Sequence, residues 1–354
     1  MSMLNDRIKA ITAPDEKMAA AALERLRNQA RPAGSLGVME PLSARLASIA
    51  GKMDVRMKRK VIVTCAADHG VVDEGVSCFP REVTAQMVYN FVNGGASISV
   101  LARHVGAEVR VADIGVDHDF ESELAIFHKK VGKGTANFTR GPAMSRESAI
   151  AGMEAGIAIV DELLSEGSVD ILGTGDMGIG NTTASSAVIA AFSGLPPASL
   201  TGRGTGLDDE GLANKIRVIE KGLAVNQPNP GDPIDVLAKV GGFEIGALGG
   251  LVIGAASHNI PVVCDGLIST AGALIACELA PAAKAYLFAG HRSREVGHQF
   301  MHQRLGIDPL LNLDFRLGEG TGAALAISLL ECATRVLADI KTFEEVGIVD
   351  ANRN

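Results

Sequence analysis

The chain has 354 residues, a formal net charge of −8 and 47% hydrophobic residues, which is enough apolar material for one large core or two modest ones. Acidic and basic residues are scattered, so the sequence lacks the positive face with which nucleic-acid-binding proteins displace counterions. The five cysteines form no CxxC pair and the N-terminus shows no apolar signal segment, so we expect a cytoplasmic protein with free thiols that binds neither nucleic acid nor a membrane.

The first 56 residues predict helices and no strand. Apolar side chains recur at helical spacing over Asp15–Asn28 and again from Met39 to Ile49, and the segment RPAGSLG separates the two helices. We therefore expect these helices to form a layer apart from the rest of the fold.

Short apolar segments alternate with helical ones from residue 60 onwards. The predicted strands are Val61–Ala67, Glu108–Ile114, Val169–Leu172, Pro261–Cys264 and Ala285–Ala289. Long helices are predicted at Glu147–Leu164, Phe243–His258 and Ala323–Ile340. This alternation predicts an α/β fold with a doubly wound, mostly parallel sheet and helices on both faces. Ligands of such sheets bind at the carboxyl ends of the strands.

The glycine-rich stretch Gly173–Thr183 (GTGDMGIGNTT) follows one predicted strand and precedes a predicted buried helix, Ala184–Ala191. Backbone N–H groups approach an anion closely where side chains are small, so this stretch is predicted to bind a phosphate. A turn that serves packing alone is the other interpretation. The stretch also satisfies G-x-G-x-x-G, which makes an NAD-dependent oxidoreductase the alternative function, although no acid occurs between Asp176 and Asp208 to bind a ribose.

Glu319 lies between glycines in Leu317–Gly322 (LGEGTG). The glycines leave room for a flat ligand, and apolar surroundings from Phe315 and Leu317 would raise the pKa of the carboxyl toward that of a general base. A carboxylate that caps the following helix fits the same residues, and the residues alone leave both roles open.

Metal binding is a further candidate, because polar residues with ligand chemistry follow several strands. These are Asp68, His69, His291, His298 and His302. They are not accompanied by an HExxH motif or a Cys/His set, and we expect no metal site.

The chain resembles the nicotinate-nucleotide:dimethylbenzimidazole phosphoribosyltransferase family, which makes the lower-ligand nucleotide of cobalamin. The resemblance lies in ADHGVVDEGVSCFPREVTAQMVYNFVNGGASISVLA, GTGDMGIGNTTAS, GRGTGLDDEGLANK, CDGLISTAGALIA, HRSREVGH and RLGEGTGAALA, which occur in this order. The N-terminal RPAGSLG is similar to the family's KPxGSLG segment. Together the segments run from about residue 25 to residue 340.

The resemblance implies a reaction that needs no cofactor and no metal. The phosphoribosyl group of β-linked nicotinate mononucleotide passes to a nitrogen of dimethylbenzimidazole, with inversion, which gives α-ribazole 5′-phosphate and nicotinate. The resemblance identifies Glu319 as the base that takes the benzimidazole proton. Asp176 is a second catalytic candidate, although the family often has Glu at this position. A solvent-facing turn aspartate is the other interpretation of this residue.

The resemblance also implies the binding residues and the assembly. Residues expected to bind the phosphate and the rest of the nucleotide are Gly175, Gly178, Ile179, Gly180, Asn181, Thr182, Gly202, Gly204, Lys215, Asp265, His291 and Ser293. Without the resemblance, Lys215 would be interpreted as an ordinary exposed helix lysine. We expect Cys78, Phe79, Gln86 and Leu317 to bind the benzimidazole, because a flat aromatic ligand needs apolar walls, and core packing is the other interpretation of these residues. The family further implies a homodimer, with a small helical domain from residues 1–56 and 331–354 and a large α/β domain from residues 57–330.

Overall fold

The computed structural model describes residues 2–349. Its strands are β1 (Lys60–Ala67), β2 (Glu108–Gly115), β3 (Phe127–His128), β4 (Ile171–Met177), β5 (Val262–Cys264), β6 (Leu287–His291) and β7 (Pro309–Leu311). Within the described residues they form one sheet in the order β3-β2-β1-β4-β5-β6-β7, and all neighbouring strands pair in parallel. The predicted α/β class is confirmed.

Helices connect the strands and precede and follow the sheet. Their bounds are α1 (Met3–Ala10), α2 (Glu16–Asn28), α3 (Met39–Ala50), α4 (Val83–Val92), α5 (Ser97–Val105), α6 (Arg146–Glu166), α7 (Asn181–Ser193), α8 (Asp209–Asn226), α9 (Pro233–Val240), α10 (Phe243–Ser257), α11 (Leu267–Leu279), α12 (Val296–Leu305), α13 (Thr321–Asp339) and α14 (Phe343–Val346). Three short 3₁₀ turns complete the described elements, at Gly70–Glu74, Pro197–Ser199 and Pro281–Tyr286.

Strand β1 lies inside the sheet, between β2 and β4, and all of its residues are buried. This double burial explains why its sequence is nearly continuous in apolar residues rather than alternating. From β1 the chain first builds β2 and β3 on one side, and it then returns to build β4 to β7 on the other. The direction in which successive strands are added to the sheet therefore reverses between β1 and β4. Such a switch point opens a crevice at the carboxyl ends of the two strands.

Helices α10 and α13 cover the sheet, and α10 packs closely against α6. Glycines permit this packing, since a Cβ added at Gly250 of α10 would lie 1.9 Å from the carbonyl oxygen of Met153. A Cβ at Gly156 of α6 would lie 2.0 Å from the carbonyl oxygen of Ala247. Helix α10, in which Glu244 is the one charged residue, is therefore a buried core helix.

Helices α2 and α3 and the end of α13 share an apolar cluster apart from the main core. Its buried members are Ala22, Leu26, Ala44, Ala47, Val55 and Leu337. The hydroxyl of Ser43 in α3 donates to the carbonyl oxygen of Ala333 in α13 at 2.6 Å, which joins the N- and C-terminal segments. The division into residues 1–56 with 331–354 and residues 57–330 stays a prediction, and residues 1 and 350–354 lie outside the described residues.

Helix α13 is, within the described residues, the one helix long and apolar enough to span a membrane. It contacts β4, β5 and β6 on the sheet and α3 and α5 beside it. These contacts make it a core helix of the α/β fold.

Strand β4 extends further than the sequence predicts. The predicted strand stops at Leu172, whereas β4 continues through Met177 because Gly173–Met177 pair with β1. The expectation of a loop over these five residues was wrong. Strand β6 likewise runs on to His291. Strands β3 and β7 were not predicted, since two or three residues carry no periodicity.

Candidate active site

Glu319 lies on a sharp turn between the sheet and α13. Gly318, Glu319 and Gly320 all have positive φ angles, of 92°, 66° and 104°, and such backbone favours glycine. Glu319 adopts it because its backbone is held on both sides. Its N–H donates to the carbonyl oxygen of Asp176 at 3.2 Å, and its own carbonyl accepts from the Thr64 hydroxyl at 2.8 Å. A strained non-glycine residue held in this way is typical of functional sites.

The side chain of Glu319 bonds to the start of a different helix, α5. Its Oε2 accepts the N–H of Ile98 at 3.0 Å, at the start of α5. The residue is only 6% exposed, and this burial raises the pKa of its carboxyl above the ordinary value, although the backbone hydrogen bonds oppose the rise. A carboxyl with a raised pKa is a suitable general base.

The N-terminus of α13 is instead capped by Asp265, which follows β5. Its Oδ1 accepts the N–H groups of Gly322 and Ala323 at 2.6 and 3.1 Å, and its Oδ2 accepts that of Gly320 at 3.1 Å. Glu319 is therefore not the cap of α13, because Asp265 accepts the N–H groups at the start of that helix. His291 lies beside it, with Nε2 3.5 Å from Oδ1 of Asp265.

Asp176 lies near the end of β4 and is 5% exposed, so the interpretation of a solvent-facing turn residue was wrong. Its Oδ2 accepts from the side-chain amide of Asn181 at 3.0 Å, while Oδ1 is buried without a hydrogen-bond partner. Burial raises the pKa of this carboxyl well above its ordinary value, and the charges of Asp265 and Glu244 add to the rise. Asp176 and Glu319 are thus two buried carboxyls on adjoining backbone.

The backbone after β4 turns into the start of α7. Gly180 is the N-cap residue of α7, has a φ of 94° and provides no side-chain cap. The N–H groups of Asn181 and Thr183 donate to the carbonyl oxygens of Gly178 and Gly180, at 3.1 and 3.0 Å. The N–H of Ile179 donates to the hydroxyl of Thr84 at 3.2 Å. Gly178 and Gly180 also press against neighbouring residues, since an added Cβ would meet the carbonyl oxygen of Ala67 at 2.4 Å or the side chain of Val72 at 2.7 Å.

The first glycines of the G-x-G-x-x-G motif have a packing role. Gly173 and Gly175 lie within β4, and a Cβ at Gly175 would lie 2.1 Å from the carbonyl oxygen of Glu319. The Rossmann pattern needs these glycines in the turn between strand and helix, where they approach a pyrophosphate. The placement inside a strand removes the support for the dinucleotide alternative. A phosphate contact of Gly175 stays a prediction.

Lys215 of α8 is wholly buried, and its ammonium donates to the hydroxyl of Thr182 in α7 at 2.7 Å. Burial lowers the pKa of Lys215 to about 8. Gly204 lies against both groups, because a Cβ there would be 2.8 Å from Oγ1 of Thr182 and 2.9 Å from Nζ of Lys215. The structure thus brings Thr182, Gly204 and Lys215 together, and the exposed-lysine interpretation does not apply.

Ser293 is buried just after β6 and beside α12. Its backbone N–H donates to Nδ1 of His298 at 3.0 Å, and its hydroxyl accepts the N–H of Glu295 at 3.2 Å. These bonds order the segment between β6 and α12. A contact of Ser293, His291 or Asp265 with a nucleotide stays a prediction.

The residues expected to bind the benzimidazole lie in three different places. Leu317 lines a cavity of about 470 Å³ with Ser97, Leu101, Phe315 and Thr321, next to the turn that carries Glu319. Gln86 lines a different cleft of about 700 Å³, with Asp68 and Tyr89. Cys78 and Phe79 lie on the surface beside Thr205, whose hydroxyl accepts the N–H of Cys78 at 3.0 Å. Among these four residues, only Leu317 lines the cavity beside Glu319.

Two buried carboxylates near the site were not identified from the sequence. Glu244 of α10 shares a hydrogen bond of 2.7 Å with Nε2 of His69, and both side chains are almost fully buried. Glu295 lies at the start of α12 against the Gly202–Gly204 loop. Glu244 could have been found as the one charged residue in an otherwise uncharged helix, whereas nothing in the sequence marks Glu295. Residues 2–349 contain no group of three His, Cys, Asp or Glu side chains arranged to hold a metal ion.

The chain is similar to known proteins along nearly its whole length. A family model described as phosphoribosyltransferase matches residues 11–348. The nicotinate-nucleotide–dimethylbenzimidazole phosphoribosyltransferase of Geobacter sulfurreducens is 56% identical over 352 residues, which covers 99% of this chain and 100% of that protein. The chain belongs to this phosphoribosyltransferase family. The protein of the same name from Chloroflexus aggregans is 54% identical, with 98% of each chain covered.

The fold of a solved member is also similar. The crystal structure of CobT from Thermus thermophilus matches with a TM-score of 0.91 and 43% sequence identity, and the match covers 95% of this chain and 100% of that one. The family resemblance found in the sequence is confirmed along the full length of the chain.

Proposed function

We propose that this phosphoribosyltransferase moves the phosphoribosyl group of nicotinate mononucleotide to 5,6-dimethylbenzimidazole, with inversion, in the assembly of the cobalamin nucleotide loop. The observation that carries the proposal is the buried carboxyl of Glu319, bonded to the N–H of Ile98 and set beside a cavity at the switch point of the sheet. The full-length identity with enzymes of that name supports the choice of substrates.

The reaction requires one general base and no general acid. Nicotinate carries a positive charge on its ring nitrogen in the mononucleotide and leaves without that charge, so its departure needs neither protonation nor a metal. The attacking benzimidazole nitrogen gains positive charge as the new C–N bond forms, and the proton on the other ring nitrogen must be removed. Glu319 accepts that proton, and the raised pKa of its carboxyl makes it a stronger acceptor than an exposed glutamate.

Carboxyl groups near Glu319 can stabilise the positive charge that develops on the ribose during the transfer. An oxocarbenium-like ribose is positive, and preorganised negative groups lower its energy in a buried site. Asp176 and Asp265 both lie within electrostatic range of Glu319. We propose that Asp176 faces the ribose, where its Oδ1 is free of protein partners.

The nucleotide phosphate is assigned to the space around the start of α7 and Lys215. The supporting features are the uncapped helix start at Gly180, the ammonium of Lys215 and the adjacent hydroxyl of Thr182. A helix N-terminus and a buried ammonium both attract an anion. The other proposed nucleotide contacts are Gly175, Gly178, Ile179, Asn181, Gly202, Asp265, His291 and Ser293. Leu317 is the proposed benzimidazole contact in the cavity beside Glu319, while benzimidazole contacts of Cys78, Phe79 and Gln86 stay predictions.

Release of nicotinate tests the function against its alternatives. The purified protein is given nicotinate mononucleotide with a panel of benzimidazoles and purines, and free nicotinate and the new nucleotide are quantified. We expect equal amounts of both products with dimethylbenzimidazole. A protein that binds the mononucleotide but releases no nicotinate would be a sensor rather than a transferase, and one that instead reduces NAD would restore the oxidoreductase.

We further propose that the enzyme is cytoplasmic and that it is a homodimer, as the resemblance implies. Sedimentation of the purified protein measures the assembly directly. A mass of one chain of 36.7 kDa across the working concentration range would contradict the dimer.

A further inference from the structure

Glu295 contacts the Gly202–Gly204 loop from the side of α12. Its side chain is buried, with the residue 6% exposed, and Oε1 accepts the N–H of Gly204 at 3.0 Å. A Cβ added at Gly202 would lie 2.1 Å from Oε2, so the carboxylate rests directly on the backbone of that glycine. Oε2 itself is buried and has no hydrogen-bond partner.

Lys215 and Thr182 contact the same loop at Gly204. The loop therefore lies between a buried carboxylate and a buried ammonium, which are not in direct contact. The carbonyl of Gly204 is also held, by Nη1 of Arg316 at 3.2 Å. The guanidinium of Arg203, which belongs to the loop, forms an ion pair with Asp209.

We propose that Glu295 is a positioning residue of the phosphate site, which holds the Gly202–Gly204 loop in place against Lys215 before the nucleotide binds. Two glycines in one short loop leave its backbone free to move, and ordering that backbone on binding would weaken affinity. A hydrogen bond from a charged acceptor stabilises the ordered form in advance. This inference rests on the proposed function, because it takes nicotinate mononucleotide as the phosphate donor.

The carboxylate has a second effect on Lys215. Burial lowers the pKa of the lysine to about 8, and the negative charge of Glu295 opposes that shift. Loss of the charge moves the pKa of Lys215 further down, so that less of the ammonium form remains in mildly alkaline solution. The hydrogen bond and the charge can therefore be separated by substitution.

The test compares Glu295→Ala, Glu295→Gln and a control, Glu278→Gln, which removes a carboxylate of α11 that pairs with Arg304 of α12. KM for nicotinate mononucleotide and kcat are measured at pH 6 and pH 8 and divided by the wild-type values, which cancels the titration of the substrate phosphate. For the alanine variant we expect KM to rise about tenfold or more at both pH values, with kcat changed much less.

The glutamine variant keeps an oxygen for the N–H of Gly204 but loses the charge. We expect its relative KM to be near that of the wild type at pH 6 and clearly raised at pH 8, while the control stays at the wild-type value at both. Unchanged KM in the alanine variant would overturn the proposal. Tighter binding by the glutamine variant would also overturn it, because the carboxylate would then be a competitor of the phosphate.

Two further measurements keep the outcome decisive. Thermal unfolding shows whether each variant is folded. If Glu295→Ala is unfolded, Glu295→Asp takes its place, because the shorter aspartate keeps the negative charge but withdraws the acceptor from the N–H of Gly204. We expect a raised KM for this variant as well. A wild-type protein that releases no nicotinate would count against the proposed function, whereas active variants with wild-type KM would count only against the role of Glu295.

Discussion

At the scale of single residues, the site depends on a glutamate held in a backbone conformation that favours glycine. At the turn of Gly318–Gly320 the carboxyl of Glu319 accepts the N–H of Ile98 in α5 instead of capping α13. Asp265 takes over the capping of α13. The carboxyl that would ordinarily stabilise a helix is thereby left to accept a proton.

Substitution of the proposed base gives the first prediction. Glu319→Gln keeps the size of the side chain and removes the proton acceptor, so turnover should fall by about 10²–10⁴ while the mononucleotide still binds. Steady-state kinetics and calorimetric binding measure the two effects. Glu331→Gln, on the helix that follows and paired with Lys60, is the matched control and should keep its turnover. Wild-type turnover in Glu319→Gln would remove Glu319 from the mechanism.

The raised pKa of Glu319 predicts a pH dependence. The base works only when it is deprotonated, so kcat should fall as the pH is lowered through a pKa that lies above the ordinary 4.5. Saturating substrates are used, because kcat then reports groups in the enzyme–substrate complex. The same acid limb should be missing from the residual activity of Glu319→Gln. An acid limb with a midpoint below 4.5 would contradict the environment described for this carboxyl.

Asp176 predicts an effect on stability. A carboxyl whose pKa is raised by folding takes up a proton on folding, so the free energy of unfolding decreases as the pH rises above the ordinary value of 3.8. Asp176→Asn is neutral at every pH and should therefore raise Tm at pH 7, with the gain shrinking toward pH 4. Turnover should fall in the same variant if Asp176 faces the ribose. A lower Tm at pH 7 would contradict the buried, unpaired state of this side chain.

The catalytic candidates were accessible from the sequence to different degrees. Glycine neighbours and the family resemblance singled out Glu319, Asp176 and Lys215, and the structure buries all three. Glu295 could not be found, because its significance comes from contact with a loop about 90 residues away in the chain. The benzimidazole residues stay predictions, since the width of a pocket depends on packing between segments distant in sequence.

At the scale of elements, the close approach of α6 and α10 gives a prediction of its own. Alanine at position 250 should favour a helix by about 0.5–1 kcal/mol on propensity alone. Its Cβ would however lie 1.9 Å from the carbonyl oxygen of Met153. Gly250→Ala should therefore lower Tm, since overpacking of this kind costs about 1–3 kcal/mol.

Gly141→Ala serves as its control, because nothing lies within 4 Å of the added Cβ. Thermal unfolding of both variants is followed by circular dichroism. An unchanged or higher Tm for Gly250→Ala would show that the two helices separate easily.

The elements that could be predicted are those with a clear period or a continuous apolar run. Strand β1 and helices α2, α3 and α6 lie within a few residues of their predicted bounds. The extension of β4 through Gly173–Met177 was missed because glycines favour a loop on local grounds, while pairing with β1 decides the outcome. Tertiary pairing overrides local preference there.

At the scale of the whole molecule, the order of the strands positions the chemistry. Strands β1, β4 and β5 bring Thr64, Asp176 and Asp265 together toward the carboxyl ends of the central strands, and the turn before α13 adds Glu319, which bonds to Thr64 and Asp176. These four residues come from segments spread along most of the chain, from position 64 to position 319. The sequence order of strands and helices predicted this edge, whereas the contacts across it required the structure.

The most direct test of the account is a crystal structure of the enzyme with dimethylbenzimidazole bound. The account predicts that a carboxylate oxygen of Glu319 lies within hydrogen-bond distance, about 2.7–3.2 Å, of a benzimidazole ring nitrogen, with the ring in the cavity lined by Leu317 and Ser97. A benzimidazole bound elsewhere, or one whose nitrogens face away from Glu319, would contradict it.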